Sequence, residues 1–508
     1  KAGKRVELRF DAGLAKVFFE RGSKSEIRAF FYAGAIPAGR LKLTATLTLT
    51  GEHQAAEMAI APTLSERYGG DDPASWPKDP LDWRQSPVDL SFLNAPEKPA
   101  GKRGFVSAQA DRLVFGDGTP ARFWGANLTA YTLFGTPKED VRRAARRLSA
   151  LGFNLVRLHH HDSPWVDPNV FGAKAADSRT LDAAALDRLD WWIKCLKDEG
   201  IYVWLDLHVL RELKAADAIY GFDEMAKGKN AADLRGYNYV NRSIQSAMKA
   251  FNADYLDHRN PYTGLRHADE PAIAALLITN ENDVTTHFGN ALLPDKNVPK
   301  HNAIYMDEAK SFARKHGLSP DKTWRSWEHG PAKLFLNDLE QRFNVDMIKP
   351  LRSLGVRVPI VTTSSWGRNP LSALPALTAG DLIDVHAYGS IGELEKSPLL
   401  ADNLTHWMAA GQVVGMPMSV TEWNVSPFPA PDRHTVPLFV AGSASHQGWD
   451  AMMQYAYAQN PLNGPGSPSN WHAYNDPALI ATLPAAALLY RQAHVREATS
   501  TYVYRPGK

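Results

Sequence analysis

One cysteine in 508 residues, Cys195, leaves no partner for an internal disulfide, so the chain must be held by its packed core. It stands in Leu-Asp-Trp-Trp-Ile-Lys-Cys-Leu (189–196), on a predicted helix, where a small buried thiol is the ordinary reading. Charge of either sign is also nearly absent in the balance. The formal net charge is +2, and neither a basic stripe for nucleic acid nor a long acidic tail is present. No apolar run reaches the roughly 18 residues of a membrane span. No signal peptide is visible, yet the chain begins at Lys1 and not at methionine. A trimmed form, secreted or periplasmic, is the expectation.

What is present is apolar surface and length. A hydrophobic share of 44 % supports a large core, and this length suits one large barrel plus an accessory module. The first stretch alternates as strands do: 15–20, 26–32 and above all 41–50, with leucines at 41, 43, 47 and 49. About four strands fit before residue 60, too few for an independent sandwich. Residues 1–62 therefore read as a β-rich module. The final 495–508 reads as a strand that shares it, because 499–505 alternates and has no partner in the barrel. Residues 63–104 are rich in Pro, Gly and Asp and read as an extended connection. Its Tyr68, Trp76 and Trp83 are candidates for bordering a cleft.

From 105 to 494 the pattern becomes alternating strands and amphipathic helices, the sign of a parallel α/β architecture. Strands are predicted at 121–128, 153–159, 202–208, 273–280, 359–365, 382–387, 417–422 and 450–456, the eight of a (β/α)8 TIM barrel. Thr136 is the predicted N-cap of the first helix, with Pro137 as its first residue, Glu139 completing a capping box and Gly152 ending it. The second helix runs from Leu181 to the stop at Gly200.

Two of these strands end in glutamates. Glu281 closes Ala-Ala-Leu-Leu-Ile-Thr-Asn-Glu (274–281), and Glu422 closes Met-Ser-Val-Thr-Glu (418–422). An apolar run ending in a carboxylate reads as a buried strand carrying an acid to the rim of the barrel. Two acids across a cleft are what cleavage of a glycosidic bond requires. Asn280-Glu281, Thr421-Glu422, His386-Ala-Tyr388 and Arg157-Leu-His159 at strand ends resemble clan A glycoside hydrolases, most closely the family 5 cellulase and mannanase group, over 105–490. Two departures stand out: Asn282 follows the first glutamate where many of that family have proline, and strand eight lacks the usual tryptophan.

The resemblance implies a retaining hydrolase without cofactor, with Glu281 as acid/base and Glu422 as nucleophile. Glu281 is then expected to be protonated near neutral pH, and Glu422 to be kept ionised by Arg157 and Tyr388. The two carboxyl groups should lie about 5 Å apart. Asn280 is expected at the sugar 2-hydroxyl, with His159, His208 and His386 as further sugar-site residues. His160 should point the other way from His159 by strand alternation. Trp124, Trp165, Trp366 and Trp423 are candidate stacking surfaces, and a tyrosine of strand eight, which carries Tyr455 and Tyr457, with Tyr457 taken as the site residue, or Trp471 from the next loop, stands in for the missing platform. Trp191, Trp192 and Trp204 read as core. The expected partner is a β-linked polysaccharide or oligosaccharide, β-glucan first and β-mannan second. A non-catalytic carbohydrate-binding barrel is the rival from another class. A metal-dependent barrel enzyme using the His159, His160, His161 and His208 cluster is the third reading.

Overall fold

In the computed structural model, the described residues are 81–367, 370–394, 396, 400–426, 428, 430 and 432–505, together with 5–11, 16–20, 26–30 and 44–50. The chain divides into two compact units, Lys1–Asp79 and Pro80–Lys508. In the first, β1 (Arg5–Phe10) pairs antiparallel with β4 (Ala45–Thr50), and β2 (Lys16–Glu20) with β3 (Glu26–Phe30). β2, β3 and β4 fall within the alternating segments of the sequence, whereas β1 lies outside them. Ala15, Phe31, Tyr32 and Leu41–Leu43 of the predicted strands lie outside the described residues, as do Tyr68 and Trp76.

The second unit is a closed parallel barrel and begins well before residue 105. A short hairpin, β5 (Ser107–Gln109) and β6 (Arg112–Val114), precedes the barrel. The barrel strands are β7 (Phe123–Thr129), β8 (Leu155–His159), β9 (Tyr202–His208), β12 (Ile273–Thr279), β13 (Ile360–Ser365), β14 (Ile383–Ser390), β15 (Met418–Ser426) and β16 (Ala451–Ala458). A two-stranded ribbon, β10 (Glu212–Lys214) with β11 (Ala231–Asp233), lies between β9 and β12. The last barrel strand, β16, closes the ring on β7. All eight predicted strands are present, most displaced by a residue or two at their ends, while β14 and β15 run three and four residues further than predicted.

Inward side chains from the lower half of the barrel (Phe123, Leu155, Tyr202, Trp204, Leu277) form a core with Val106, Leu113 and Phe115 of the hairpin segment. The hairpin therefore stoppers the N-terminal end, leaving the C-terminal end as the mouth. A larger apolar layer fills the space between strands and helices. Cys195 sits in it, on the helix of Ala183–Asp198, and burial pushes its thiol up to about 11. Trp124, Trp192 and Trp204 are fully buried. Trp83 is half-buried, edge-on to Tyr474 at 6.5 Å.

Helix α1 (Lys138–Ala150) starts one residue later than predicted, with Pro137 at the cap and no capping box. The Thr136 hydroxyl is used elsewhere: it donates to Thr132 O at 2.7 Å and accepts from Leu462 N–H at 3.0 Å. Gly152 does end the helix, at φ +89°, and a Cβ there would stand 2.7 Å from that of Ala487. Helix α2 (Ala183–Asp198) is capped by Asp182, whose carboxylate accepts from Ala185 N–H at 2.8 Å. Helices α3 (Arg242–Asp257), α4 (Pro299–His316), α5 (Pro331–Ser353), α6 (Val436–Gln447) and α7 (Leu483–Arg491) complete the main outer layer. The excess length between the fourth and fifth strands is thus helical, in α4 and α5. No helix among the described residues is long and apolar enough to cross a membrane.

The expected strand at 499–505 is not formed. Just before it, Ala498 N–H donates to His446 O at 2.8 Å and Glu497 pairs with Arg112 at 2.6 Å. Period-two alternation without a partner edge was not enough to make a strand, and the barrel unit holds this segment itself. A second tie involves Asn94: its Nδ2 donates to Phe153 O at 2.9 Å, and its Oδ1 accepts from Arg491 at 2.7 Å. Arg491 also reaches Gly152 O at 2.9 Å and Leu93 O at 2.8 Å.

Candidate active site

The mouth is built around a buried guanidinium. Arg157, on β8, has no solvent exposure and is bound on three sides. Its Nε donates to Asp206 of β9 at 3.0 Å, Nη1 to Glu422 at 2.9 Å and Nη2 to Asn280 Oδ1 at 2.8 Å. One cation thereby sets the positions of side chains from three other strands. His159, two residues on and on the same face, has Nδ1 2.5 Å from Asp206 Oδ2 and Nε2 3.3 Å from Glu422 Oε1.

Glu422 receives a further bond on its other oxygen, from the Tyr388 hydroxyl at 2.6 Å. Burial alone would push its carboxyl up. His386, His159 and Arg157 outweigh that and hold it well below the ordinary carboxylate range. Glu281 lies opposite, at the end of β12, in the left-handed region with φ +44°. Its Oε1 is 2.7 Å from His386 Nδ1, and its side chain keeps 26 % exposure where that of Glu422 keeps 7 %. Donor atoms of Glu281, His386 and Glu422 all lie within 4.8 Å of one another.

His386 joins the two carboxylates. Its Nε2 is 2.9 Å from Thr421 Oγ1, and that hydroxyl donates its own proton to Asp384 at 2.6 Å. Thr421 must therefore accept from Nε2–H, which leaves Nδ1 facing Glu281 and able to exchange a proton with it. Burial pulls the imidazole down, but Glu422 and Glu281 together raise it above its usual value.

Of the residues singled out in the sequence, the structure brings together Glu281, Glu422, Arg157, His159, Asn280, His386 and Tyr388. Trp165, in the loop after β8, stands at the mouth with 38 % exposure. Trp366, just past β13, is half-buried and stacks on His287 at 3.8 Å and 16°. His287 is in turn held by Asp283 at 2.7 Å.

Four expectations are corrected. Trp124 and Trp423 face the helix layer, not the rim; they pack on each other at 5.7 Å, and Trp124 also packs on Tyr490 of α7. His208, the last residue of β9, is buried against Phe251 of α3 at 5.0 Å. Tyr457 is buried behind the strand, where it receives a bond from Arg147 at 2.6 Å. The register of β16 against β7 shifts between Gln454 and Ala458, breaking the alternation. Tyr455 is the residue that reaches the mouth, 5.8 Å from the His159 ring and 6.3 Å from Tyr388, with Trp471 edge-on at 5.4 Å. The fourth correction is His160, whose ring lies at the mouth, 4.2 Å from that of His159.

Sequence reasoning missed Asp206 and Asp384, and it preferred Tyr457 to Tyr455. A signal was available for both acids: each is a lone carboxylate inside an otherwise apolar strand, where it needs a buried partner. The histidine cluster does not converge, since His161 stacks on Tyr255 at 5.6 Å and His208 also faces α3. A metal between Glu281, His386 and Glu422 would have to compete with the guanidinium 2.9 Å from Glu422. A second set with convergent donors lies outside the barrel: Asp190 takes His258 at 2.7 Å and His267 at 2.9 Å, pinning α2 to the segment after α3.

No family model and no curated protein matches the chain. Solved structures do. An endo-1,4-β-mannanase from Rhizomucor miehei superposes with a TM-score of 0.52 at 15 % identity, over 77 % of this chain and 100 % of that one. A glycoside hydrolase family 5 mannosidase from the same organism gives 0.49 at 11 % identity, over 77 % and 98 %. A β-glucanase from Saccharophagus degradans in complex with cellotetraose gives 0.43 at 13 % identity, over 82 % and 100 %. At these identities the likeness is one of fold, and the fold is the (β/α)8 barrel implied by the resemblance to family 5 glycoside hydrolases.

Proposed function

We propose that the chain is a retaining glycoside hydrolase acting on β-linked glycans, with Glu422 as nucleophile and Glu281 as acid/base. The observation that carries this reading is the carboxylate pair itself, with facing donor atoms within 4.8 Å across the mouth. Retaining enzymes hold their two carboxyl groups about 5–5.5 Å apart, while inverting enzymes leave room for a water between them. The environments also differ in the required sense. Glu422 is surrounded by donors and cations and is ionised. Glu281 is the more exposed of the two and meets an imidazole that can relay its proton.

In the first step Glu422 Oε attacks the anomeric carbon as Glu281 gives its proton to the leaving glycosidic oxygen. In the second, Glu281 takes a proton from water, whose oxygen displaces Glu422 from the same carbon and restores the anomeric configuration. Tyr388 and Arg157 hold Glu422 in place while its charge is spent and regained. Asn280, fixed by Arg157, is set to meet the sugar 2-hydroxyl.

We take the substrate to be a β-linked polysaccharide or oligosaccharide, with β-glucan the first candidate and β-mannan the second. Reducing-sugar release over glucans, mannans, xylans and galactans, with Glu422→Gln as control, tests the activity. Proton NMR of the first product tests the stereochemistry: an inverted anomer would remove the double displacement.

A further inference from the structure

His160 takes no part in the reading above, and the alternation of β8 would send it into the packing layer. The structure turns it the other way. With φ at +55° the residue lies in the left-handed region, and the chain bends as it leaves His159. The imidazole comes back over the mouth, 5.1 Å from Trp165 and 6.4 Å from Tyr455. It is half-buried, and its neighbour His159 lies 3.3 Å from Glu422. Trp165 is itself positioned, since its carbonyl accepts from the Tyr131 hydroxyl at 2.5 Å. One sector of the mouth, on the Glu422 side of the carboxylate pair, thus carries two aromatic faces and an imidazole.

The protonation of that imidazole follows from its partner. Its Nδ1 is 2.6 Å from Ser163 Oγ. Ser163 is fully buried, and its hydroxyl has no other partner among the described residues. The hydroxyl proton therefore goes to Nδ1, and the ring carries its own proton on Nε2. Burial and the adjacent His159 hold the imidazole well below its usual range, so it remains uncharged. His160 is thus a neutral donor with one defined N–H, aimed from a fixed ring.

In a double displacement the sugar being attacked lies against the nucleophile and the departing sugar against the acid. The sector beside Glu422 consequently receives the glycone side of the chain. We propose that His160 and Trp165 form a glycone-reading site, in which Trp165 carries a sugar ring on its exposed face and His160 Nε2–H donates to one hydroxyl of the glycone. His160 is then a specificity-determining residue, selecting between sugars that differ at that hydroxyl. This rests on the glycosidase reading and adds to it the side of the substrate that is read.

The test uses aryl β-glycosides that share one leaving group and differ only in the sugar, so that contacts on the leaving side stay constant. His160→Ala should lower kcat/KM about tenfold on the preferred sugar, the worth of one neutral hydrogen bond, and narrow its preference over the epimer by a similar factor. The pH profile should not move, because the residue carries no charge. His160→Gln, which keeps an N–H donor, should recover part of the preference, and Trp165→Ala should weaken both sugars through KM. Equal losses on both epimers in His160→Ala and His160→Gln, or unchanged kinetics in a variant that melts with the wild type, would overturn the proposal. Equal activity of wild type and Glu422→Gln would instead overturn the assignment of the nucleophile.

Discussion

Replacing Arg157 by methionine tests the electrostatic design of the mouth more severely than removing either glutamate. The guanidinium is fully buried and faces two carboxylates, Asp206 at 3.0 Å and Glu422 at 2.9 Å. Methionine fills much of its volume but leaves both acids in a low-dielectric site without their cation. Breaking one buried pair in this way costs about 3–5 kcal/mol. Glu422→Gln alone leaves Arg157 paired with Asp206 and keeps an amide to meet Tyr388, so it should cost less stability than Arg157→Met while abolishing activity. In the double variant only Asp206 remains uncompensated, so roughly 1–3 kcal/mol of the Arg157→Met loss should return as a coupling energy.

The loss also has a pH signature. With Arg157 gone, Glu422 and Asp206 each lose one of the charges that lower them, and their folded-state values rise. A carboxyl whose folded value has risen contributes less stability above that value than it did before. The gap between Arg157→Met and wild type should therefore be smallest at acid pH, where both acids are protonated, and widen as pH rises through the carboxylate range. Urea unfolding followed by tryptophan fluorescence reads this directly, since every tryptophan except Trp76 lies in the barrel unit. Additivity of the two single losses to within about 0.5 kcal/mol would refute the argument. So would a stability difference that does not change with pH.

Tyr455→Ala should reduce kcat/KM on the true substrate by about 1–2 kcal/mol of lost stacking, whereas Tyr457→Phe should leave kinetics intact and cost about 1 kcal/mol in urea unfolding. A kinetic defect in Tyr457→Phe would place the platform back on that residue. Tyr388→Phe removes a 2.6 Å charge-assisted bond to Glu422 and should slow formation of the glycosyl-enzyme by about 2 kcal/mol, read as the burst rate with an activated aryl glycoside. Asp450 is raised to about 7 by burial, although Leu113 N–H and Met418 N–H both bond it. Its contribution to stability is accordingly lost as pH rises from about 4 toward 7, and a stability profile flat across that range would contradict it.

The barrel was legible because its strands are short apolar runs whose period and spacing are local properties. The glutamates were legible because a carboxylate at the end of such a run has few other reasons to be there. What was not legible depended on where a strand stops being regular. Tyr455 and Tyr457 share a parity, and only the register shift in β16 separates them. His160 was misplaced for the same reason, standing just past a strand end where the backbone departs from the pleat. Trp124 and Trp423 were judged by residue type, yet the period-two pattern already assigns them the face opposite Phe123 and Glu422. The missing capping box at Thr136 has a different cause: a hydroxyl can serve one geometry at a time, and a tertiary contact to Leu462 occupied it.

The bonds joining Arg491 to Asn94, Leu93 and Gly152 also bear on how the molecule comes to be made. They act as a buckle between the first and last parts of the barrel unit, next to the packing of Tyr490 on Trp124 of β7. During synthesis β7 emerges early, and its free edge stays unpaired until β16 and then α7 have followed. The ring is therefore an open, curved sheet for most of translation, and its mouth has no Glu422 until β15 arrives. Closure and completion of the catalytic pair belong to the same late stretch of chain, so nascent chains cut short before residue 451 should be both inactive and prone to pair at the β7 edge.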